Sequence, residues 1–511
     1  FVLSDSRKPA AVLEEMVAIS RLRDISPVPV WYRRRKNNKG RKAGNVADFV
    51  TRWGGRYDQM VVLDADSVMG AATIKALSAR MNADPAVGLI QTMPMLVGGQ
   101  TIFARLTQFA GRVYGPAIAR GVAAWSGDSG NFWGHNAIIR VAAFAQCCGL
   151  PDLPGKPPFG GHILSHDFVE AALLRRAGWK VRLDHDLRDS FEGSPPTLLD
   201  MAVRERRWAQ GNLQHSRIIF SRGFAWISRA HFVIGILGFL MSPIWLAMIL
   251  VGLALSANVL LSRPDYFPQT YQLFPDWPTF DPVRMLWLFV AAMSFLLVPK
   301  FIGLFRAPVQ MLIQTRQIYD ILRGRDSGWE AQVRAGQVPP WSVVLRRHAL
   351  HVFLGVGTLV VLAIFSPPQL VWLSPILAGL ILSPLTSRWS ASPVFGRWAR
   401  RQGLLVTPEE RDPPEILTAA NALDYRIAAT LPREGLEAVG RDGAMQARVA
   451  SLLRAGAPDG PASARLDAIS AEAKLAHAAT QAEALSFLSE AEKLALLEDR
   501  RLVETFAKLP A

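Results

Sequence analysis

The chain has 511 residues, 50% of them hydrophobic, with a formal net charge of +15 and two cysteines. That length holds a globular core plus a membrane part, and so apolar a composition argues against a wholly soluble protein. The adjacent pair Cys147 and Cys148 excludes a disulfide framework and offers no metal-ligand spacing. The positive excess lacks the interleaved aromatics of a single-strand reader; it suits anionic lipid and a bound diphosphate, and no nucleic-acid partner is expected.

In chain order, Phe1-Val2-Leu3-Ser4-Asp5 reads as the end of a buried strand. With no initiator Met and no signal pattern before it, the chain is expected to be a fragment whose earlier part is missing. The basic run from Arg33 to Lys42 reads as a loop near phosphates. Met60-Val61-Val62-Leu63 is an apolar run ending in Asp64, and Val87 to Thr92 is another, with an Ala-rich helical stretch between them. This alternation, continuing to about residue 225, predicts an α/β fold with a doubly wound, mostly parallel sheet and helices on its faces. Ligands bind such sheets at the carboxyl ends of strands, where Asp5 and the pair Asp64/Asp66 fall.

Apolar segments dominate from Phe232 to Leu385, and four are span candidates: Pro243–Leu261, Met285–Phe305, His351–Phe365 and Leu370–Leu385. The connection from Arg306 to Arg347 is rich in arginine, whereas Ser262 to Val283 carries Arg263 against Asp265, Asp276 and Asp281. The positive-inside rule puts the Arg-rich connection, the front domain and the tail in the cytoplasm. Phe232–Met241, before a break at Ser242-Pro243, and Val309–Leu322 have the mixed faces of interfacial helices, although the first also reads as an extension of the following span. The expected divisions are a cytosolic domain over 1–225, a membrane region over 226–390 and a cytosolic tail over 391–511. The tail opens with an acid- and Pro-rich linker, Thr407 to Pro414, and continues with helical spacing and no catalytic constellation.

The chemistry gathers in one ordered set of side chains. A strand ending in Asp64-Ala65-Asp66 presents two carboxylates to one side of the sheet edge. Such a pair suits Mg²⁺ or Mn²⁺ bridging a diphosphate, because these ions take hard oxygen ligands and substrate phosphates together. Asp167 falls at the start of a predicted helix, where it is a candidate general base. Helical spacing in Arg204-Glu205-Arg206-Arg207-Trp208 puts Arg204, Arg207 and Trp208 on one face, offering cations to a leaving diphosphate and a ring to an acceptor sugar. Taken singly, each has a plainer reading: a solvated turn, a first-turn charge, a snorkelling basic helix.

Asp5, Lys42, Asp64-Ala65-Asp66, His166-Asp167 and Arg204-x-x-Arg207-Trp208 resemble the motifs of the processive family 2 glycosyltransferases, the group of cellulose and hyaluronan synthases. Leu63-Asp64-Ala65-Asp66-Ser67, Phe132-Trp133-Gly134-His135-Asn136, the stretch from Leu153 to Trp179, and Arg207-Trp208-Ala209-Gln210-Gly211-Asn212-Leu213-Gln214-His215 are similar to one branch, the inner-membrane synthases of osmoregulated periplasmic glucans. The likeness runs from Phe1 through the membrane part and is less specific after about Arg411.

The resemblance implies a GT-A-like domain, UDP-glucose as donor, a growing β-glucan with β-1,2 linkage as acceptor and product, and export of that chain across the inner membrane toward periplasmic glucan-processing or envelope partners. Carried over, Asp5 and Lys42 contact the uridine end of the donor, and Asp64 faces its diphosphate and sugar. Asp66 holds the metal with Asp64, Asp167 is the base and Arg207 a diphosphate contact. Trp208 and Arg204 belong to the acceptor site. Two departures stand out: Arg204 replaces the Gln usual in cellulose synthases, and His166 replaces the Glu that precedes the base in many relatives. The competing expectations are another processive synthase of the cellulose or hyaluronan type, and a UDP-glucose sensor that binds a partner through the tail.

Overall fold

The computed structural model describes residues 1–260, 306–325, 337–365, 367–432, 435–453 and 462–510. Its chain divides into two compact units, Phe1–Tyr57 with Pro414–Ala511, and Asp58–Pro413.

In the first unit β1 (Val2–Ser4) pairs in parallel with β2 (Tyr32–Arg34). A parallel pair needs a crossover, and α1 (Pro9–Ile25), opened by a proline whose missing N–H costs nothing there, supplies it. α2 (Arg41–Trp53) follows Gly40, which adopts the left-handed conformation. Val12, Leu13, Met16 and Val17 form the apolar stripe of α1 and are buried against Leu475, Leu496, Val503 and Phe506 of the C-terminal helices. The helical spacing predicted for the tail is realised in Glu415–Ala428, Gly443–Leu452, Ala462–His477, Gln481–Phe487, Glu490–Leu496 and Arg500–Ala507. Helices this short depend on caps, which Thr480, Ser489 and Asp499 provide by accepting first-turn N–H groups.

The second unit begins β3 (Gln59–Val62), β4 (Ser67–Met69), α3 (Ala71–Ala83), β5 (Val87–Thr92), β6 (Met95–Val97) and α4 (Ile102–Ser126). It continues β7 (Ala137–Arg140), α5 (Val141–Cys147), α6 (His166–Arg176), β8 (Lys180–Asp184), β9 (Ser190–Gly193) and α7 (Leu198–Gln214). Four strands form a sheet in the order β3-β7-β5-β8, with β5 buried along its whole length. The sheet is mixed, which corrects the mostly parallel expectation: β8 runs parallel to β5, but β7 is antiparallel to both of its neighbours. The reason lies in the connection after β5, which returns to the end it left, since Ala137 opens β7 opposite Gln91. A strand that enters where its neighbour exits has to run back.

A smaller sheet, β4-β9-β6, forms where β3, β5 and β8 continue beyond their carboxyl ends. The step from β3 to β4 therefore carries Asp64 and Asp66.

Beyond α7, α8 (Trp226–Leu260) is one helix that passes through Ser242-Pro243 without a break, so Phe232–Met241 extends the following segment and does not lie apart as an interfacial helix. α9, residues 306–322, buries Val309, Met311, Leu312, Ile318 and Ile321 against protein, several of them on α7 and α8. The apolar face expected to rest on lipid is thus used in packing. α10 (Trp341–Phe365), α11 (Pro367–Ile381), α12 (Ser383–Ser390) and α13 (Pro393–Arg401) complete the row. Among the described residues, Trp226–Ala254 and Trp341–Phe365 are long and apolar enough to cross a membrane. The candidate Leu370–Leu385 divides at Leu382, because Pro384 begins a new helix, and the 15 residues of α11 fall short of the roughly 20 a bilayer core requires. Met285–Phe305 and most of its outward connection lie outside the described residues.

The predicted linker is docked. Pro408–Arg411 forms a turn of helix with a Thr407/Glu410 capping box; Glu410 pairs with Arg105 of α4 at 2.7 Å and Glu409 with Arg112 at 2.9 Å.

Candidate active site

The bend between β3 and β4 is held by the backbone. The Ser67 N–H donates to the Asp64 carbonyl at 3.0 Å, and the Gly193 N–H donates to the Asp66 carbonyl at 3.1 Å. This second bond extends the β4–β9 ladder, in which Ser67 stands opposite Glu192. A third carboxylate therefore arrives beside the pair. Asp64 and Asp66 are half-buried, and Glu192 is 23% exposed at its side chain.

Glu192 and its neighbour His135 were not singled out from sequence. Asn136 adopts φ +52° and is fully buried. Its amide donates to Ser190 Oγ at 2.8 Å and to the Phe191 carbonyl, its carbonyl accepts from Thr92 Oγ1 at 2.7 Å, and its Oδ1 lies 2.8 Å from His135 Nδ1. Gln91 adds a bond from the Trp133 N–H to its Oε1 at 2.9 Å. This buried network, fully satisfied, makes the Trp133–Asn136 turn rigid and aims His135 Nε2 at Glu192, 3.1 Å away. Burial pushes the Glu192 carboxyl above its ordinary range, against the pull of His135 and Arg204 and with the help of Asp66 and Asp64. The signal for His135 was its place in a motif; Glu192, between Phe191 and Gly193, carried none.

Arg204 reaches this group from α7. Burial lowers its guanidinium, while Glu192, Glu205 and Asp66 oppose that shift. Its guanidinium lies 4.4 Å from the Trp208 ring centre, one helical turn on. Trp208 remains 45% exposed. Glu205, on the buried side, accepts from Gln310 at 2.6 and 2.7 Å and from Gln314 at 3.3 Å, locking α7 to α9. Burial raises its carboxyl too. Gln314 in turn accepts from the Ser242 hydroxyl of α8. Arg207 lines a cavity of about 530 Å³ together with Arg206, Arg316 and Arg347, to which Arg204 and Trp208 do not contribute.

Asp167 sits in the first turn of α6, half-buried, with its own Oδ1 accepting from the Phe168 N–H at 3.1 Å. The segment just before it is gripped by the carboxyl half of α7. Gln214 accepts from the Leu164 N–H at 3.0 Å and donates to the His162 carbonyl at 3.2 Å; His215 Nε2 lies 3.1 Å from the Ser165 carbonyl. His166 faces Glu170, 3.2 Å away and one turn along α6, which gives that departure a local partner. Gln214 and His215 thus form a clamp on the Asp167 turn. Arg204 and Gly211 are separated by seven residues, about 10 Å of helix, so α7 spaces the carboxylate group from the Asp167 turn.

Asp5 and Lys42 belong to the first unit. Both carboxylate oxygens of Asp5 are taken by Arg35, at 2.8 and 2.7 Å, and Lys42 lies in the first turn of α2.

Asp64 and Asp66, at the bend between β3 and β4, offer hard oxygen donors. Among the described residues no cluster of three or more His, Cys, Asp or Glu side chains has a metal-holding arrangement. Two strand-end carboxylates that leave the remaining positions to phosphate and water are the donor set Mg²⁺ accepts.

The family model described as glycosyl transferase family group 2 matches residues 60–301. A protein of Shewanella baltica (strain OS223) named glucans biosynthesis glucosyltransferase H is 46% identical over 461 residues, covering 84% of this chain and 63% of that protein. The protein of the same name from Shewanella sp. (strain ANA-3) is 43% identical, covering all of this chain and 75% of its own length. The Shewanella oneidensis protein of that name is 48% identical over 453 residues, 82% of this chain and 62% of its own. Against most of these curated relatives the chain spans a little over three fifths of their length.

Proposed function

The chain belongs to glycosyl transferase family group 2, among the relatives named glucans biosynthesis glucosyltransferase H, and on that premise we propose that it transfers glucose from UDP-glucose to a growing β-glucan. The transfer is an inverting single displacement. Asp167 takes the proton from the acceptor hydroxyl as that oxygen attacks the anomeric carbon on the face opposite UDP. Trp208 offers its exposed ring to the acceptor sugar, with Arg204 beside it. Arg207 attracts the departing diphosphate. Mg²⁺ or Mn²⁺, held by Asp66 with Asp64, would offset the negative charge that develops on the leaving diphosphate. The glucan is β-1,2-linked and is exported across the bacterial inner membrane, with the catalytic residues and the C-terminal tail on the cytoplasmic side.

The observation that carries this reading is the double role of α7. Its middle turns carry Arg204, which feels the charge of Glu192 and Asp66, with Trp208 against it, and its carboxyl end with the following His215 grips the turn that carries Asp167. Acceptor floor and base are thus held by one rigid element, as a displacement at a fixed angle requires.

The test measures UDP release and glucan formation from radiolabelled UDP-glucose in membranes carrying the protein, native against Asp167→Asn, with and without Mg²⁺. Metal-dependent glucan synthesis lost by a factor of about 10²–10⁴ in the variant is the expected result. A variant with native activity removes Asp167 from the mechanism. A native protein that binds UDP-glucose without consuming it puts the sensor reading first.

A further inference from the structure

α7 packs on α8 and α9 through an apolar cluster, Ala209 and Leu213 with Ile318 and Ile321, beside Ile236 and Phe239 of α8. Such contacts are non-directional, and by themselves they leave one helix able to settle at more than one height on another. A polar relay runs through the same interface. Glu205 is 8% exposed, and its carboxylate accepts from Gln310 Nε2 with both oxygens, at 2.6 and 2.7 Å, and from Gln314 Nε2 at 3.3 Å. The Ser242 hydroxyl of α8 donates to Gln314 Oε1, which leaves the nitrogen of that amide for Glu205. Gln317, further along α9, donates to the Ala202 carbonyl of α7 at 2.9 Å. Arg306, the first residue of α9, lends its charge against the effect of burial on the Glu205 carboxyl.

Resting on the transfer reading above, we infer that Glu205 is a positioning residue for the acceptor platform: it fixes the height of α7 on α9 and, through Gln314 and Ser242, on α8, and so fixes where Trp208 stands. The chemistry of the contact supports this assignment. A carboxylate only accepts, so it can take the N–H groups of two glutamines together, whereas an amide in its place would turn a donor toward a donor. Sliding α7 by one turn, 5.4 Å, would leave a buried charge without its partners, a cost that apolar contact does not impose. The place of Glu205 along the helix matters as well. Gln214 and His215 hold the carboxyl end of α7 to the Asp167 turn, and a helix held at one end can pivot about it. Glu205 is a second fixed point nine residues away, about 14 Å along the axis. Trp208 lies between the two points, with Arg204 4.4 Å from its ring centre.

The experiment compares native protein with Glu205→Gln in membranes supplied with UDP-glucose, reading turnover at saturating donor, KM for UDP-glucose and glucan length, each scaled to the amount of protein present. The expected result is a fall in turnover of about tenfold, short of the roughly 10² that an ångström of misplacement costs, with shorter chains. KM for UDP-glucose stays within about twofold of native, because donor binding is not what the contact serves. Combining Glu205→Gln with Gln310→Glu exchanges the carboxylate and the amide between α7 and α9, again sets donor against acceptor, and is expected to recover most of the turnover. Ser242→Ala, which frees the Gln314 amide to turn, is expected to act in the same direction by a smaller factor; should Glu205→Gln fail to accumulate, native turnover and length in Ser242→Ala overturn the inference. Native values in Glu205→Gln overturn it, as does an exchange that restores nothing. If native protein binds UDP-glucose and makes no glucan, the transfer reading fails and the positioning role falls with it; glucan made normally by native and variants alike sinks the positioning role alone.

Discussion

A methyl group on Gly211 would lie 2.4 Å from Ser165 Oγ and 2.6 Å from the Ser165 nitrogen. Only glycine lets α7 approach the Asp167 turn this closely, and Gln214, the last residue of α7, with His215 just beyond it completes the grip. Gly211→Ala has to move that turn, because the nearest atoms include backbone. The expected outcome is a fall in glucan synthesis of about 10²-fold, the cost of roughly 1 Å of misplacement. UDP-glucose binding, checked by equilibrium binding to membranes, stays native.

Trp208→Ala removes both the acceptor floor and the ring against which Arg204 rests. Chain-length analysis at fixed UDP-glucose is expected to give shorter glucan, with synthesis reduced by about three- to tenfold, the range for one lost aromatic contact. Trp208→Phe, which keeps a flat face, recovers most of the length.

The Arg105–Glu410 pair tests whether the acidic stretch after α13 is structural. Arg105 is 2% exposed and also donates to the Gly99 and Leu405 carbonyls. Arg105→Ala takes from half-buried Glu410 its 2.7 Å partner and leaves Arg400, 3.7 Å away, as a remaining cation; the expected cost is about 1.5–3 kcal/mol, read as a lower unfolding temperature of the purified protein. A change within experimental scatter would mean that the docking of Pro408–Arg411 contributes nothing to stability.

Glu492 sets an acid limit on the first unit. Burial by itself would raise its carboxyl, but Lys474 at 2.8 Å, the Ser470 hydroxyl at 2.5 Å and the Ser489 N–H at 2.7 Å hold it down to about 2. A depressed folded-state value means that the unfolded chain binds the proton first. The stabilisation is therefore full above the ordinary glutamate range and is lost as pH falls from about 4.5 toward 2. Glu492→Gln should flatten the pH dependence of unfolding in that window, measured by helix loss in circular dichroism. A native slope in the variant would assign the acid transition to other groups.

Much of the site was written along the chain. Asp64 and Asp66 end an apolar run, Asp167 opens a helix and Arg204 and Trp208 share a helical turn, because each of these is a matter of local period. What lay beyond local period was misread or unseen. The antiparallel β7 depends on where a long connection re-enters the sheet, which no window of residues encodes. Leu370–Leu385 had the composition of one span, yet Pro384 sits where a helix restarts more readily than it continues. Val309–Leu322 had a mixed face, and composition cannot say whether protein or lipid covers it.

By itself the sequence determined which chemistry is available: a carboxylate pair at a strand end, a carboxylate at a helix start, an Arg-Trp helix, and segments apolar enough to cross a membrane. Its long motifs determined the family as well. Only the tertiary structure decided which groups meet. Glu192 reached Asp66 through the pairing of two strands separated by more than a hundred residues, and His135 reached Glu192 through a buried network around a single strained Asn136. Side-chain identity is a local property, whereas the field at a site is a sum over everything that folding brings within a few ångströms of it, and that sum is fixed by strand register and helix packing.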